Sequence, residues 1–150
     1  MFQHPSLSVV VPVYNGERRI AATLSALTAF LRSRMSFEIL VVDDGSTDRT
    51  AVLTEAFAAA NPETRLLRLG ANTGKGAAVR HGILRAAGDL ACFCDADLPI
   101  QLTELDKLLR ALEQGADVAI ASRTLPGSAI APAPGADRRI FSRLFNRLIR

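Results

Sequence analysis

Runs of apolar residues alternate along this chain with segments in which apolar residues recur every three or four positions. Five runs predict β-strands, at residues 7–14, 37–42, 65–69, 90–94 and 117–121. Several runs are almost continuously apolar, which is typical of strands that helices cover on both faces. The alternation therefore predicts an α/β fold, a three-layer, doubly wound and mostly parallel sheet.

Four segments between these strands have the periodicity of amphipathic helices. The first has apolar residues at positions 20, 24, 27 and 31, the second at 52, 56 and 57, and the fourth at 105, 108, 109 and 112. The third is expected from about residue 76 to residue 88. Asn61-Pro62 ends the second helix, and Gly115 follows the fourth.

The pattern changes after Arg123. Residues 124–136 contain three prolines and two glycines, which predicts a loop, and residues 137–150 predict a helix with five arginines opposite an apolar stripe. Such a helix can lie on a membrane surface that contains anionic lipid, or it can pack its stripe on the sheet domain or on a further segment. We therefore divide the chain into a domain at 1–123, a loop at 124–136 and a basic amphipathic helix at 137–150.

Composition and charge exclude several classes of protein. The chain has 150 residues, of which 49% are apolar and 22% charged, as in one soluble globular domain. No apolar run is long enough to cross a bilayer, and the two cysteines lie in one apolar run without a secretory signal, so we expect a reducing cytoplasmic compartment. Residues 136–150 carry a net charge of +4, and the rest of the chain carries −1, which gives no argument for nucleic acid.

Acidic residues follow three of the predicted strands. They are Glu17 after the first, Asp43 and Asp44 after the second, and Asp95 and Asp97 after the fourth. Ligands of doubly wound sheets bind beyond the carboxyl ends of the strands, where these carboxylates would repel one another unless a cation compensated them. A single acidic pair in a loop is more often solvated or a helix cap, but their joint placement favours a site. The pair Asp95 and Asp97 provides hard oxygen ligands for Mg²⁺ or Mn²⁺ that could also accept a diphosphate.

A glycine-rich loop at residues 70–76 precedes the third helix. It is not a P-loop, because three residues instead of four separate its first glycines and Gly76 stands where Ser or Thr is required. No G-x-G-x-x-G follows the first strand, which argues against a dinucleotide-binding oxidoreductase. Lys75 and the neighbouring amides can attract an anion, or the segment is a turn with an exposed lysine. Cys92 and Cys94 are interpreted as small buried residues.

The segments LSVVVPVYNGERRI, EILVVDDGSTDRT, NTGKGAAVRHGILRAAGD, CDADLP and ASR resemble, in order and spacing, the family 2 glycosyltransferases of the A-type fold. Within them the chain is most similar to the dolichyl-phosphate glucosyl- and mannosyltransferases and their bacterial polyprenyl-phosphate relatives. The resemblance extends from about Leu7 to Arg123. It implies a domain that binds a nucleotide-sugar and transfers the hexose, with inversion, to a dolichyl or polyprenyl phosphate.

The resemblance also implies roles for individual residues. Asp95 and Asp97 would be the catalytic pair that takes the cation and the sugar diphosphate. The substrate-binding residues would be Pro12, Tyr14 and Glu17 along the nucleoside pocket, Asp43 and Asp44 at the base or ribose, Lys75, Ala96 beside the aspartates, and Arg123 at the phosphates. Gly16 stands where relatives often have a first Glu, and Ala121 where they often have Gly. Lys75 in N-x-G-K-G matches the glucosyltransferase branch better, which favours UDP-glucose over GDP-mannose.

Relatives continue well past the length of this chain with an acceptor-side segment. The resemblance therefore implies a fragment, a truncated product or one half of a split enzyme, and the hypothesis is that the chain binds donor and metal but transfers sugar poorly by itself. A non-catalytic nucleotide-sugar-binding module is one alternative. A receiver-type signalling domain is another, since its acidic pair and phospho-accepting aspartate match Asp43, Asp44 and Asp95. Receivers also need a lysine at the end of a later strand, and the last lysine here, Lys107, lies in a predicted helix.

Overall fold

The computed structural model describes residues 6–98 and 101–121. Its strands are β1 (Leu7–Val13), β2 (Phe37–Asp43), β3 (Thr64–Arg68) and β4 (Leu90–Phe93). They form one parallel sheet in the order β3-β2-β1-β4. The helices are α1 (Ile20–Leu31), α2 (Thr50–Ala60), α3 (Lys75–Ile83), a 3-10 turn at Leu102–Glu104, and α4 (Leu105–Glu113).

Strands β2 and β3 lie on one side of β1, and β4 lies on the other side. Leu7 is in register with Phe37 of β2 and with Leu90 of β4, so β1 is central. This is the predicted doubly wound α/β arrangement, with its reversal point between β1 and β4.

Both faces of β1 and β2 are covered, which explains their continuous apolar runs. Alternate residues such as Val9, Val11 and Ile39 face a larger cluster that includes Leu24 and Leu27 of α1. The intervening residues, such as Val10 and Val42, face a smaller cluster with Ala78 of α3. The sheet therefore lies between two helical layers, as the sequence pattern predicts.

Pro12 lies in the central strand without disrupting the ladder. Even-numbered residues of β1 form their backbone hydrogen bonds with the β4 side of the sheet. For example, the Cys94 N–H donates to the Val10 carbonyl at 3.0 Å. The last residue of β4 in register is Phe93, opposite Val10. The backbone N–H of any other residue at position 12 would point beyond the last paired residue of β4, so proline is tolerated there. Pro12 therefore borders an opening between β1 and β4.

Two sequence predictions about the elements are wrong. Residues 117–121 do not form a strand: they pair with none of the four strands of the described sheet, and Val118 and Ile120 are 74% and 80% exposed. Apolar periodicity does not reveal whether a strand has a neighbour to pair with. The third helix ends at Ile83 and not near Gly88, because the chain must turn there to enter β4. Gly88 packs so closely on the backbone of Ser6 and Ser8 that a side chain would collide with it.

The remaining elements agree with the sequence pattern. Helix α2 ends before Asn61-Pro62, and α4 ends before Gly115, whose φ of 98° lies in the left-handed region. Arg123, the loop predicted at 124–136 and the helix predicted at 137–150 lie outside the described residues. Among the helices that are described, none combines the length and apolar character that crossing a membrane requires.

Candidate functional site

A cleft opens at the carboxyl end of the sheet, between β1 and β4. Its volume is about 200 Å³, and it is lined by Pro12, Val13, Tyr14, Arg19, Lys75, Asp95, Ala96 and Asp97. The cleft lies where the strand order reverses, which is where doubly wound sheets bind their ligands. Six of the ten residues predicted from the sequence line it.

The turn after β4 presents the two aspartates. Ala96 is buried, and its carbonyl accepts a hydrogen bond from the Thr23 hydroxyl of α1 at 2.5 Å. The Leu98 N–H closes the turn on the Asp95 carbonyl at 3.0 Å. Since Ala96 is anchored to the core, the Asp95 and Asp97 side chains on either side of it extend into the cleft.

Lys75, the first residue of α3, reaches the same turn. Its ammonium nitrogen lies 2.5 Å from Asp95 Oδ1 and 5.6 Å from the centre of the Phe93 ring. The side chains of Lys75 and Asp95 are 56% and 40% exposed, so solvent reaches both partners of this ion pair. Among the described residues, Lys75 thus balances one of the two carboxylates of the turn.

Asp44 anchors the glycine-rich loop that leads to Lys75. Its Oδ1 accepts hydrogen bonds from the Thr73 amide and hydroxyl, both at 2.8 Å, and its Oδ2 accepts one from the Gly74 amide at 2.8 Å. Burial by itself raises the pKa of Asp44, but these hydrogen bonds outweigh burial and hold the pKa below its usual value. Asp44 does not line the cleft, and its hydrogen bonds fix the start of α3.

Asp43 is almost fully buried, with 1% of its surface exposed. Its Oδ1 accepts the Ser46 amide at 2.9 Å, and its Oδ2 has no hydrogen-bond partner among the described residues. The nearest cation is Arg68, whose Nε lies 3.7 Å from Oδ2. Asp43 is therefore not brought into the cleft with the aspartates of β4.

Glu17 connects the loop after β1 to the start of α2. Its amide donates to Asp48 Oδ2 at 3.0 Å, and its Oε2 accepts the Arg49 amide at 3.1 Å. Burial by itself raises the pKa of Asp48, but the hydrogen bonds from Thr50 and Glu17 hold it below its usual value. Glu17 does not line the cleft, and its hydrogen bonds instead connect the loop after β1 to the loop before α2.

Sequence reasoning missed Arg19. This residue precedes α1 and lines the cleft with Tyr14, which is 47% exposed. The available signal was a pair of arginines in the loop after β1, beside acidic strand ends. Arg19 adds a second cation to the cleft, so that two carboxylates face two basic side chains and one aromatic ring.

Asp95 and Asp97 supply part of the ligand set of a divalent-cation site. Two carboxylates offer the hard oxygens that Mg²⁺ and Mn²⁺ prefer, and Mg²⁺ sites commonly take their remaining ligands from water and substrate phosphates. Within residues 6–98 and 101–121, no three His, Cys, Asp or Glu side chains cluster in a way that could hold a metal. The cleft therefore suits a cation that arrives with a phosphate ligand better than a cation bound by protein alone.

The two cysteines pack against the larger core cluster next to this site. Burial raises the pKa of Cys92 to about 11. Burial, together with the nearby Cys92 and Asp95, raises the pKa of Cys94 to about 12. Both thiols are thus protonated at neutral pH. The prediction that these cysteines are buried holds only in part, because both residues are half-buried.

The model of glycosyl transferase family 2 matches residues 8–150. The chain belongs to the family 2 glycosyltransferases. A dolichyl-phosphate beta-glucosyltransferase of Trichomonas vaginalis is 41% identical over 105 residues, which are 66% of this chain and 31% of the relative. The enzyme of that name from Saccharomyces cerevisiae is 36% identical, over 72% of this chain and 34% of its own. An undecaprenyl-phosphate 4-deoxy-4-formamido-L-arabinose transferase of Pectobacterium atrosepticum is 38% identical, over 75% of this chain and 35% of the relative.

Solved glycosyltransferase structures confirm the predicted fold. A mannosyltransferase from Pyrobaculum calidifontis in complex with GDP-Man and Mn²⁺ has a TM-score of 0.56 at 28% identity, over 63% of this chain and 28% of that one. Residues 1–349 of S. aureus TarS in complex with UDP-GlcNAc have a TM-score of 0.59 at 31% identity. The match covers 73% of this chain and 31% of the TarS chain. This family 2 chain spans about a third of the length of the curated relatives that it matches.

Proposed function

We propose that this chain is the donor-binding part of an inverting hexosyltransferase, which binds a nucleoside-diphosphate sugar with Mg²⁺ or Mn²⁺ and transfers the sugar to a polyprenyl or dolichyl phosphate. The observation that carries the proposal is the convergence of Asp95, Asp97, Lys75 and Tyr14 in one cleft at the reversal point of the sheet. The names of the curated relatives support the lipid-phosphate acceptor and favour glucose as the sugar.

Different residues of the cleft bind different parts of the nucleotide-sugar. Tyr14 and Pro12 form the apolar wall for the nucleoside, and Ala96 leaves room beside the aspartates for the diphosphate. Asp95 and Asp97 would hold the metal, which when bound supplies positive charge opposite the leaving diphosphate. Lys75 and Arg19 provide further positive charge, and Arg123 is proposed to meet the phosphates from outside the described residues.

The acceptor needs little activation. A phosphate monoester has a second pKa of about 6 and is therefore largely dianionic at neutral pH. Its oxygen attacks the anomeric carbon from the face opposite the diphosphate, the bond to the diphosphate breaks, and the configuration inverts. No proton has to be removed in this step, so a general base is not required. The basic helix predicted at 137–150 would hold the chain at the cytoplasmic face of the membrane, where such an acceptor lies.

A transfer assay tests this proposal. The purified chain is incubated with UDP-[³H]glucose or GDP-[³H]mannose, undecaprenyl phosphate in detergent and Mn²⁺, and radioactivity in the organic extract is counted. We expect slow labelling of lipid from UDP-glucose, which is abolished by Asp97→Asn and by a chelator. Asp106→Asn is the matched control, because Asp106 lies on α4 and pairs with Arg34 at 3.0 Å, away from the cleft. Donor binding without any lipid label would contradict the transferase and leave a nucleotide-sugar-binding module.

A further inference from the structure

The ion pair between Lys75 and Asp95 has a consequence for how cation and nucleotide enter the cleft. Lys75 begins α3, and the backbone just before it is fixed because Thr73 and Gly74 donate to the buried carboxylate of Asp44. Beyond this fixed backbone, four flexible methylene groups carry the ammonium. The start of the side chain is therefore held in place while its charge can move within the cleft.

The Lys75 ammonium lies where an incoming cation would have to bind. It contacts Asp95 Oδ1, one of the four carboxylate oxygens that the turn after β4 offers. The exposed Phe93 ring supports it from one side, at 5.6 Å. Asp97 has no salt-bridge partner among the described residues, so a cation that uses both aspartates must displace Lys75 from the first.

We propose that Lys75 is a displaceable counter-ion that opposes binding of the free metal and favours binding of the metal together with the nucleoside diphosphate. This inference rests on the proposed function. Without nucleotide, Lys75 occupies Asp95 and repels a second cation. With nucleotide, the diphosphate offers the ammonium a new anionic partner, so that release from Asp95 no longer leaves Lys75 unpaired. The cleft then binds metal and nucleotide cooperatively.

The size of the effect follows from elementary electrostatics. Charges of +1 and +2 at about 5 Å in water repel each other enough to change affinity roughly tenfold, and salt reduces this factor. Exposed ion pairs are individually weak, so the pair itself contributes less than the repulsion. Removal of the ammonium should therefore tighten binding of the free metal by about five- to tenfold. It should weaken binding of the nucleotide, because a charge-assisted contact to phosphate is lost.

The test measures binding and not turnover. Mn²⁺ binding is followed by electron paramagnetic resonance without nucleotide, and UDP binding by calorimetry at saturating Mn²⁺, for the wild type and Lys75→Met. We expect the variant to bind Mn²⁺ about five- to tenfold tighter and UDP about tenfold weaker. Lys75→Arg should restore both values. Lys107→Met is the matched control and should change neither affinity, because Lys107 of α4 pairs with Glu104 at 2.8 Å and does not line the cleft.

The opposite signs of the two changes distinguish this role from others. If Lys75 only bound phosphate, Lys75→Met would weaken UDP binding and leave Mn²⁺ affinity unchanged. That result would overturn the proposal while the proposed function stands. If Lys75 only supported the fold, both affinities would fall together, and the proposal would again be wrong. If neither wild type nor variant bound Mn²⁺ or UDP, the proposed function itself would fail.

Discussion

Substitution of Asp44 by asparagine should destabilise the fold far more than the loss of one charge suggests. The carboxylate accepts three hydrogen bonds of 2.8 Å from Thr73 and Gly74, across 29 and 30 residues of chain. Asparagine has nearly the same shape but only one acceptor oxygen. Its amide nitrogen would then face the N–H of Gly74, donor against donor.

The expected magnitude follows from these three bonds. A hydrogen bond to a charged group contributes about 1.5–3 kcal/mol to stability, and a neutral one about 0.5–1.5 kcal/mol. The Asp44→Asn variant would keep two neutral bonds and lose the third. Thr73 and Gly74 are exposed, so water replaces part of what is lost. We therefore expect the free energy of unfolding to fall by about 2–3 kcal/mol at pH 7.

Urea unfolding followed by circular dichroism measures this change, with Asp106→Asn as the control. Asp106 pairs with Arg34 on the surface, and its substitution should cost at most about 1 kcal/mol. The pKa of Asp44 is lower in the folded chain than its usual value of 3.8, so its contribution is complete above about pH 4–5 and disappears as the pH falls through the folded pKa. The difference between the wild type and Asp44→Asn should therefore narrow below pH 4. Equal stability of the two at pH 7 would show that the three hydrogen bonds do not hold the loop.

Two further predictions concern the packing around α3 and β4. In α3, a Cβ at Gly82 would collide with Val10 and lie 3.0 Å from Val42, whereas one at Gly76 would meet open space. Gly82→Ala should thus lower the free energy of unfolding by about 1–3 kcal/mol, whereas Gly76→Ala should not lower it. If both variants lost the same stability, the close packing of Gly82 on Val10 would be wrong. Because burial raises the thiol pKa of Cys92 to about 11 and that of Cys94 to about 12, iodoacetamide at pH 8 should label both slowly in the folded chain and quickly in urea. Fast labelling of the native protein would contradict the burial.

The architecture was predictable because its elements are determined by local pattern. The runs that became β1 and β2 are continuously apolar, since helices cover both faces, and α1 and α4 have clear amphipathic periodicity. Residues 117–121 have an equally apolar pattern, but a strand also needs a neighbour, and the pattern does not reveal one. The same limit applies to the end of α3, which depends on how closely Gly88 approaches Ser8.

The location of the site was predictable, but not the part that each residue plays in it. Parallel strands place their carboxyl ends together, so Asp95, Asp97 and Tyr14 were expected at one edge. Asp44 and Glu17 were expected in a pocket, yet their hydrogen bonds go to loops about 30 residues away in sequence. Nothing in the local sequence distinguishes Arg19 from Arg18, so the sequence does not indicate which of the two lines the cleft. Such contacts depend on three-dimensional neighbours that no spacing rule supplies.

The most direct test of the donor-binding cleft is calorimetric titration of UDP-glucose, and separately of GDP-mannose, into the 150-residue chain, with Mn²⁺ and with a chelator. We predict binding that requires the metal, disappears in Asp97→Asn and persists in Asp106→Asn. Binding that is equally strong with the chelator, or that survives Asp97→Asn, would contradict the role of the aspartates after β4. The absence of binding for both UDP-glucose and GDP-mannose would contradict the assignment of the cleft to a nucleotide-sugar.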